Sequence, residues 1–407
     1  MRINSDIAED IVAAKRRRRL PRLLTRLLLI SGGIIVALLI VEVGLRISGF
    51  NYFNPSIVDQ DLGYSLRPSA EGWWTREGLT YVKINSQGFR DREHTIAKPP
   101  DTFRIAILGD SFAEAFQVPL EKTFWSVIEE RLQQCPRTAR TKVEVMNFGV
   151  SGFSTARELI LLQKRVWQYS PDLIVLLVTV ANDIKDNSAA LSQYKRLPLP
   201  YFVFRDGKLV LDDSLVSARN GTFTFRLQRS SLGRSFNWLQ NHSRVLGLIY
   251  TVREANQLSQ PSNNQSEPGL DSEVYQPPST PDWKEAWRVT EALLVKMRDE
   301  VRMKGARFLV VTGSSGIQVN PDAETRQKFM NSLDITNLSY PDERIKMLGR
   351  AEGFDVLNLA PSLYEYASVN RVFVQGSSET GGRGHWNEIG HRLAGELISR
   401  QICQADF

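Results

Sequence analysis

The chain has 407 residues, of which 42% are hydrophobic and 24% charged, with a formal net charge of +6. That composition excludes a disordered or collagen-like chain, and two cysteines exclude a disulfide-scaffolded fold. Residues 1–26 hold eight Lys/Arg against three Asp/Glu, so +5 of the +6 lies in the first 26 positions. The rest is nearly neutral and lacks the spread basic footprint of a nucleic-acid binder, so no nucleic-acid partner is expected.

In chain order, Lys15, Arg16, Arg17, Arg18 and Arg19, then Arg22 and Arg26, precede an apolar stretch from Leu27 to Leu45. Its uncharged part, Leu27–Val41, is 15 residues, short of the ~20 that cross a bilayer. Leu23 and Leu24, with a snorkelling Arg26, extend one end, and Glu42 lies near the other, where it reaches the interface. A cleaved signal peptide fits the same apolar length, but no small-x-small cleavage site follows in Val43–Phe50. A soluble core helix is a third reading, against which the basic run argues. The expectation is a basic cytoplasmic stub (1–26) and an uncleaved transmembrane anchor (27–45). By the positive-inside rule, everything after the anchor is extracytoplasmic.

Residues 46–101 form a juxtamembrane lead-in with Trp73-Trp74 and a β stretch at Leu79–Asn85. Some 55 residues bury little core, so this segment is expected to pack against the larger region beyond residue 101. From 102 onward, strand-like runs alternate with helical patterns, which predicts a parallel sheet covered on both faces. Ile105–Leu108 ends in Gly109-Asp110-Ser111. Val143–Phe148 ends in Gly149-Val150-Ser151-Gly152, and Leu173–Val178 is followed by Asn182-Asp183. An insertion spans about 185–282. It contains a hairpin signal at Tyr201–Leu211 around Asp206-Gly207, helical spacing over Phe236–Val252, and a Ser/Pro/Gln/Asn-rich linker at Gln257–Pro281. Elements inserted near the carboxyl edge of the sheet serve either as a lid or as a docking surface, and the residues leave both open. A helix at Trp283–Met303, strands at Arg307–Val311 and Asp355–Leu359, and a last helix opened by Gly384-His385-Trp386-Asn387 complete the pattern. The alternation predicts a three-layer α/β/α sandwich on a parallel sheet, with an N-terminal transmembrane helix.

Serine, glycine, asparagine and histidine, in that order and each after a strand, resemble the SGNH (GDSL-like) hydrolase superfamily. The resemblance covers residues 102–407 apart from the insertion. Ile84-Asn85-Ser86-Gln87-Gly88-Phe89-Arg90 looks like a lead-in that recurs in membrane-anchored bacterial members. The resemblance implies a flavodoxin-like fold, on a five-stranded parallel sheet of order 2-1-3-4-5, in which Ser111 is the nucleophile and His385 the base. It also implies an oxyanion hole built from the backbone N–H groups of Ser111 and Gly152 and the side-chain amide of Asn182. Each residue type suits ester chemistry, which needs a nucleophile, a base near neutral pKa and donors aimed at the developing oxyanion. Of the other histidines, His94 sits in a charged loop and His242 in the insertion. His391 is six residues past His385 and makes a poor metal pair with it. No metal and no cofactor are expected.

One position departs from the family. An acid usually stands two or three residues before the histidine, and here Arg383 and Gly382 occupy those places. Three readings are open: Glu379 is the orienting acid, a backbone carbonyl orients a Ser-His dyad, or the site is degraded. The expected function is a membrane-anchored serine esterase acting on an acylated small molecule or polysaccharide. The alternatives are an O-acyltransferase acetylating an extracytoplasmic polysaccharide, with a membrane acyl-donor partner, and a catalytically weak carbohydrate-binding or assembly protein. In a 2-1-3-4-5 sheet the helices carrying Cys135 and Cys403 are neighbours. The two cysteines therefore form either a disulfide, in keeping with an oxidising compartment, or an unpaired, reduced couple.

Overall fold

The structure is a computed structural model, and it describes residues 3–50, 52–136, 138, 141–194, 197–258 and 271–405. By contact density the chain forms two units, residues 1–52 with 230–262, and residues 53–229 with 263–407.

The first unit contains one long helix, Ile3–Ile47. Its segment Thr25–Ile47 has a mean hydropathy of 2.5 and none of it is buried, so it is long and apolar enough to cross a membrane. Two further helices, Ser231–His242 and Arg244–Leu258, complete the unit. The sequence spacing pointed to one helix over Phe236–Val252. The chain instead breaks at Ser243, whose extended backbone ends the first helix.

The second unit begins with two hairpins. Strands β1 (Ser56–Asp59) and β2 (Gly63–Leu66) pair antiparallel, as do β3 (Glu71–Trp74) and β4 (Thr80–Lys83). The main sheet is built from β5 (Thr102–Leu108), β6 (Lys142–Asn147), β7 (Leu173–Thr179), β10 (Arg307–Gly313) and β11 (Asp355–Asn358). All its pairings are parallel, in the order β6-β5-β7-β10-β11, which is the 2-1-3-4-5 arrangement that the resemblance implied. Side chains alternate across the pleat. Ile105 and Ile107 of β5 join the core beneath the helices Phe124–Gln133 and Glu388–Gln404, while Ala106 and Leu108 join the core beneath Pro281–Met303. Burial of both faces explains why β7 is an unbroken apolar run. The insertion hairpin forms as β8 (Tyr201–Arg205) and β9 (Lys208–Asp212). Asp206 and Gly207 both sit at positive φ, which a type I′ turn requires. Residues 259–270 of the expected 257–281 linker lie outside the described residues. The part from Ser272 onward is ordered, with Val274 and Tyr275 buried.

Cys135 and Cys403 are joined as a disulfide across 268 positions, with their Cα atoms 6.1 Å apart. The bond ties the end of the Phe124–Gln133 helix to the end of the last helix. Those helices pack closely, because Gly395 lets the Phe124 carbonyl and Val127 approach its Cα.

Candidate active site

β5 delivers Ser111 to the carboxyl edge of the sheet, where open α/β folds place their ligands. The strand ends at Leu108, and Asp110 turns the chain into the single helical turn Ser111–Glu114. The Asp110 carboxylate accepts from the Phe112 N–H (2.9 Å), the Thr179 hydroxyl (3.0 Å) and the Asn182 amide (2.9 Å). Asp110 therefore links the ends of β5 and β7. Burial raises its pKa, against those donors.

His385 arrives from the opposite end of the chain. Its loop is pinned by neighbours rather than by regular structure. The Gly376 N–H donates to the His385 carbonyl (2.8 Å), the buried Trp386 indole donates to Ser314 Oγ (2.8 Å), and Asn387 caps the last helix. This explains the Gly-His-Trp-Asn order: the tryptophan anchors, the asparagine starts the helix, and the histidine just before them faces Ser111. His385 Nε2 lies 2.7 Å from Ser111 Oγ.

The carboxylate that meets the far side of His385 is Glu77, which sequence reasoning missed. Its Oε2 lies 2.7 Å from His385 Nδ1 and also accepts the His385 backbone N–H at 3.0 Å. Glu379 stands exposed in the turn before the histidine loop, and Nδ1 belongs to Glu77 instead. Glu77 sits in the turn between β3 and β4. That hairpin is seated on the segment after the nucleophile turn through the Thr80 hydroxyl to the Gln117 carbonyl (3.2 Å) and the edge contact of Trp74 with Phe116 (5.2 Å). Gly384 makes the approach possible. It has φ +106, and a Cβ there would meet a Glu77 carboxylate oxygen at 3.0 Å. A glutamate in a short surface hairpin carries no sequence signal of its own. The one hint was the missing acid beside His385.

A carboxylate on Nδ1 fixes the tautomer, so Nδ1 carries the proton and Nε2 accepts from the Ser111 hydroxyl. Burial opposes a charge on His385, but the hydrogen bond and charge of Glu77, with Asp110 and Glu114 beyond, raise its pKa above the ordinary value. Glu77 is itself opposed by burial, yet its bond to His385 holds it below the usual carboxylate range.

Gly152 lies at φ +72 in the turn after β6, and a Cβ there would stand 2.6 Å from Tyr64 Oη and 2.8 Å from Tyr194 Oη. Only glycine suits both the backbone and the space. Ser151 is held by Glu114, whose carboxylate accepts from the Ser151 N–H (3.1 Å) and its hydroxyl, and by Tyr64, which donates to the Ser151 carbonyl (2.9 Å). Burial pushes the Glu114 carboxyl up to about 7. Among the described residues no protein acceptor takes the N–H of Ser111 or Gly152. Asn182 spends one amide hydrogen on Asp110, which orients the group and leaves its second hydrogen. Ser111, Gly152, Asn182 and His385 thus gather around the ends of β5, β6 and β7. His94 bonds Asp91 and Glu144, and His391 is buried and stacked on Phe124, so both serve the packing. Among the described residues no group of three or more His, Cys, Asp or Glu could hold a metal ion.

No protein-family model matches the chain, and no curated protein matches it. Among solved structures it is similar to an acetyl xylan esterase at 13% identity and a TM-score of 0.37, covering 74% of this chain and 100% of the other. It is also similar to an acetylxylan esterase from Geobacillus stearothermophilus, at 11% identity and 0.38, with coverage of 75% and 95%. A protein assigned to the G-D-S-L lipolytic family, from Desulfitobacterium hafniense, matches at 10% and 0.35, with coverage of 73% and 98%. What this chain does chemically rests on its own geometry.

Proposed function

We propose that the protein is a membrane-anchored serine ester hydrolase of the SGNH type, using Ser111, His385 and Glu77. The observation that carries this reading is the continuous relay from Ser111 Oγ to His385 Nε2 and from Nδ1 to Glu77, each step 2.7 Å. His385 takes the Ser111 proton as the oxygen attacks the acyl carbonyl, and the Glu77 carboxylate stabilises the imidazolium that forms. The N–H groups of Ser111 and Gly152 and the amide of Asn182 receive the oxyanion. His385 then gives its proton to the leaving alcohol, and water, deprotonated by the same nitrogen, releases the acyl group from Ser111. The complete relay counts against a degraded, binding-only fold.

An O-acyltransferase would pass through the same acyl-enzyme and replace water with a sugar hydroxyl. One observation favours it: a cavity of about 710 Å³ lined by Tyr275, Asn320, Phe329, Phe373 and Arg383 shares the loop that leads to His385. Aromatic walls with amide and guanidinium groups suit a carbohydrate acceptor. The N-terminal segment is read as a single-pass anchor in the cell membrane. Its basic flank is cytoplasmic and the catalytic unit extracytoplasmic, supported by the charge asymmetry and the hydropathy of Thr25–Ile47.

The test is cleavage of p-nitrophenyl acetate by the full chain in detergent beside Ser111→Ala and His385→Ala. Each variant is expected to lose at least about 10³-fold in turnover, and Ser111→Ala to lose fluorophosphonate labelling. Labelling that survives in Ser111→Ala would overturn the reading. Acyl transfer to an added oligosaccharide, faster than hydrolysis, would establish the transferase.

A further inference from the structure

The helix Ser231–His242 is inside out for a water-facing element. Leu232, Phe236 and Leu239 follow at spacings of four and three, so they share one face. They are 76%, 56% and 49% exposed. Trp238 is 61% exposed and stacks on His242 at 4.4 Å. The polar Asn237, Gln240 and Asn241 are half-buried. A helix on a soluble surface distributes these residues the other way.

The joint that follows this helix is bound to the apolar anchor. Glu42 is the one acid between Leu27 and Leu45. Its carboxylate accepts from the Ser243 hydroxyl (3.1 Å) and from the backbone N–H groups of Arg244 (3.0 Å) and Val245 (3.1 Å). It therefore caps the helix Arg244–Leu258. Arg46 donates to the His242 carbonyl (2.6 Å) and pairs with Glu42. Below the cap, Tyr52 stacks on Tyr250 at 5.9 Å. These bonds answer how a carboxylate is tolerated in an apolar span, because its lone pairs are met by donors from the insertion. They also set a depth. At 1.5 Å per residue, Glu42 lies about 7–8 Å from the end of the span at Ile47, which is the edge of the hydrocarbon. The joint His242–Val245 is held at that level, and the exposed apolar face begins there.

We propose that helix Ser231–His242 is an interfacial membrane helix, whose Leu232, Phe236 and Leu239 enter the bilayer surface beside the anchor with Trp238 at the headgroup level. The inference rests on the reading of Thr25–Ile47 as a membrane span. The bilayer is the occupant because the joint that ends this helix is bound to Glu42 and Arg46 of that span. Tryptophan at such an edge is the side chain that interfaces favour.

The test places an environment-sensitive fluorophore at Phe236→Cys, at Asn241→Cys on the opposite face, and at Leu38→Cys within the span. The full chain, its disulfide intact, is reconstituted in phosphatidylcholine–phosphatidylglycerol vesicles. Acyl-chain nitroxide lipids are expected to quench positions 38 and 236 several-fold more than 241, and aqueous iodide to quench 241 alone. Leu232→Cys repeats the measurement should the Phe236 variant fail to fold. An unquenched position 38 would refute the span itself and the inference with it. Quenching at 38 with iodide access at 236 would overturn the inference alone. Shielding of 236 from both quenchers would mean that protein, such as a second copy, covers the face, and would also overturn it.

Discussion

At the scale of single residues, Glu77 decides whether the site is a dyad or a triad. Burial alone would depress the His385 pKa, and the neighbouring carboxylates outweigh it. The base works when neutral, so the acid limb of kcat/KM should lie above 6.5. Glu77→Gln removes the charge that favours imidazolium and leaves burial in place. Its limb is expected to move to lower pH, with kcat reduced about 10²–10⁴-fold. A pH–rate profile checks both, and an unmoved limb would show that Glu77 only supports the loop. Glu379→Ala should leave the profile as it is, because Glu379 is exposed in its turn.

Among the elements, the Phe124–Gln133 and Glu388–Gln404 helices matter most, since one follows Ser111 and the other follows His385. Their packing holds Ser111 and His385 in register, and the Cys135–Cys403 disulfide closes their far ends. Replacing both cysteines with serine is expected to cost about 2–4 kcal/mol of stability, read as a lower urea midpoint with a steeper slope, because the unfolded chain is no longer cross-linked. A non-reduced tryptic digest should contain the linked peptides, and reduction should remove that mass. The β3–β4 hairpin shows the same principle on a smaller scale. It adds nothing to the parallel sheet, yet it carries the acid to the histidine.

On the scale of the whole molecule, the buried charges give the fold a pH preference. Burial pushes Glu114 up to about 7. His385 and His94 are opposed by burial but raised overall by their carboxylate partners. All three hold protons in the folded chain that the unfolded chain has released above pH 6.5. Stability then falls as pH rises wherever the native state binds more protons. The unfolding midpoint should therefore drop between pH 6.5 and 8, and Glu114→Gln should flatten that slope. A midpoint that rises across this window would contradict the assignment. His391, held down at about 3 by burial, acts in the opposite sense only below its ordinary value of 6.5, which is why the test is confined to the higher window.

Local pattern carried much of this protein. The apolar runs ending in Gly-Asp-Ser, Gly-Val-Ser-Gly and Asn-Asp declared buried parallel strands with polar residues at their carboxyl ends. Periodicity and turn chemistry act over a few neighbours, and a short window of sequence reads them. The basic run before Leu27–Leu45 and the Asp206-Gly207 turn were legible for the same reason. The insertion helix broke at Ser243 because Glu42, 201 positions away, caps the next helix, and no local window contains that carboxylate. Glu77 stands 308 residues from His385, and Cys135 stands 268 from Cys403. Sequence by itself determined the strands and placed Ser111, Gly152 and Asn182 past their carboxyl ends, while the strand order came with the family resemblance. Tertiary structure alone decided the third member of the relay, because a hydrogen bond depends on distance in space, and only the packed hairpin brings that carboxylate within 2.7 Å of the imidazole.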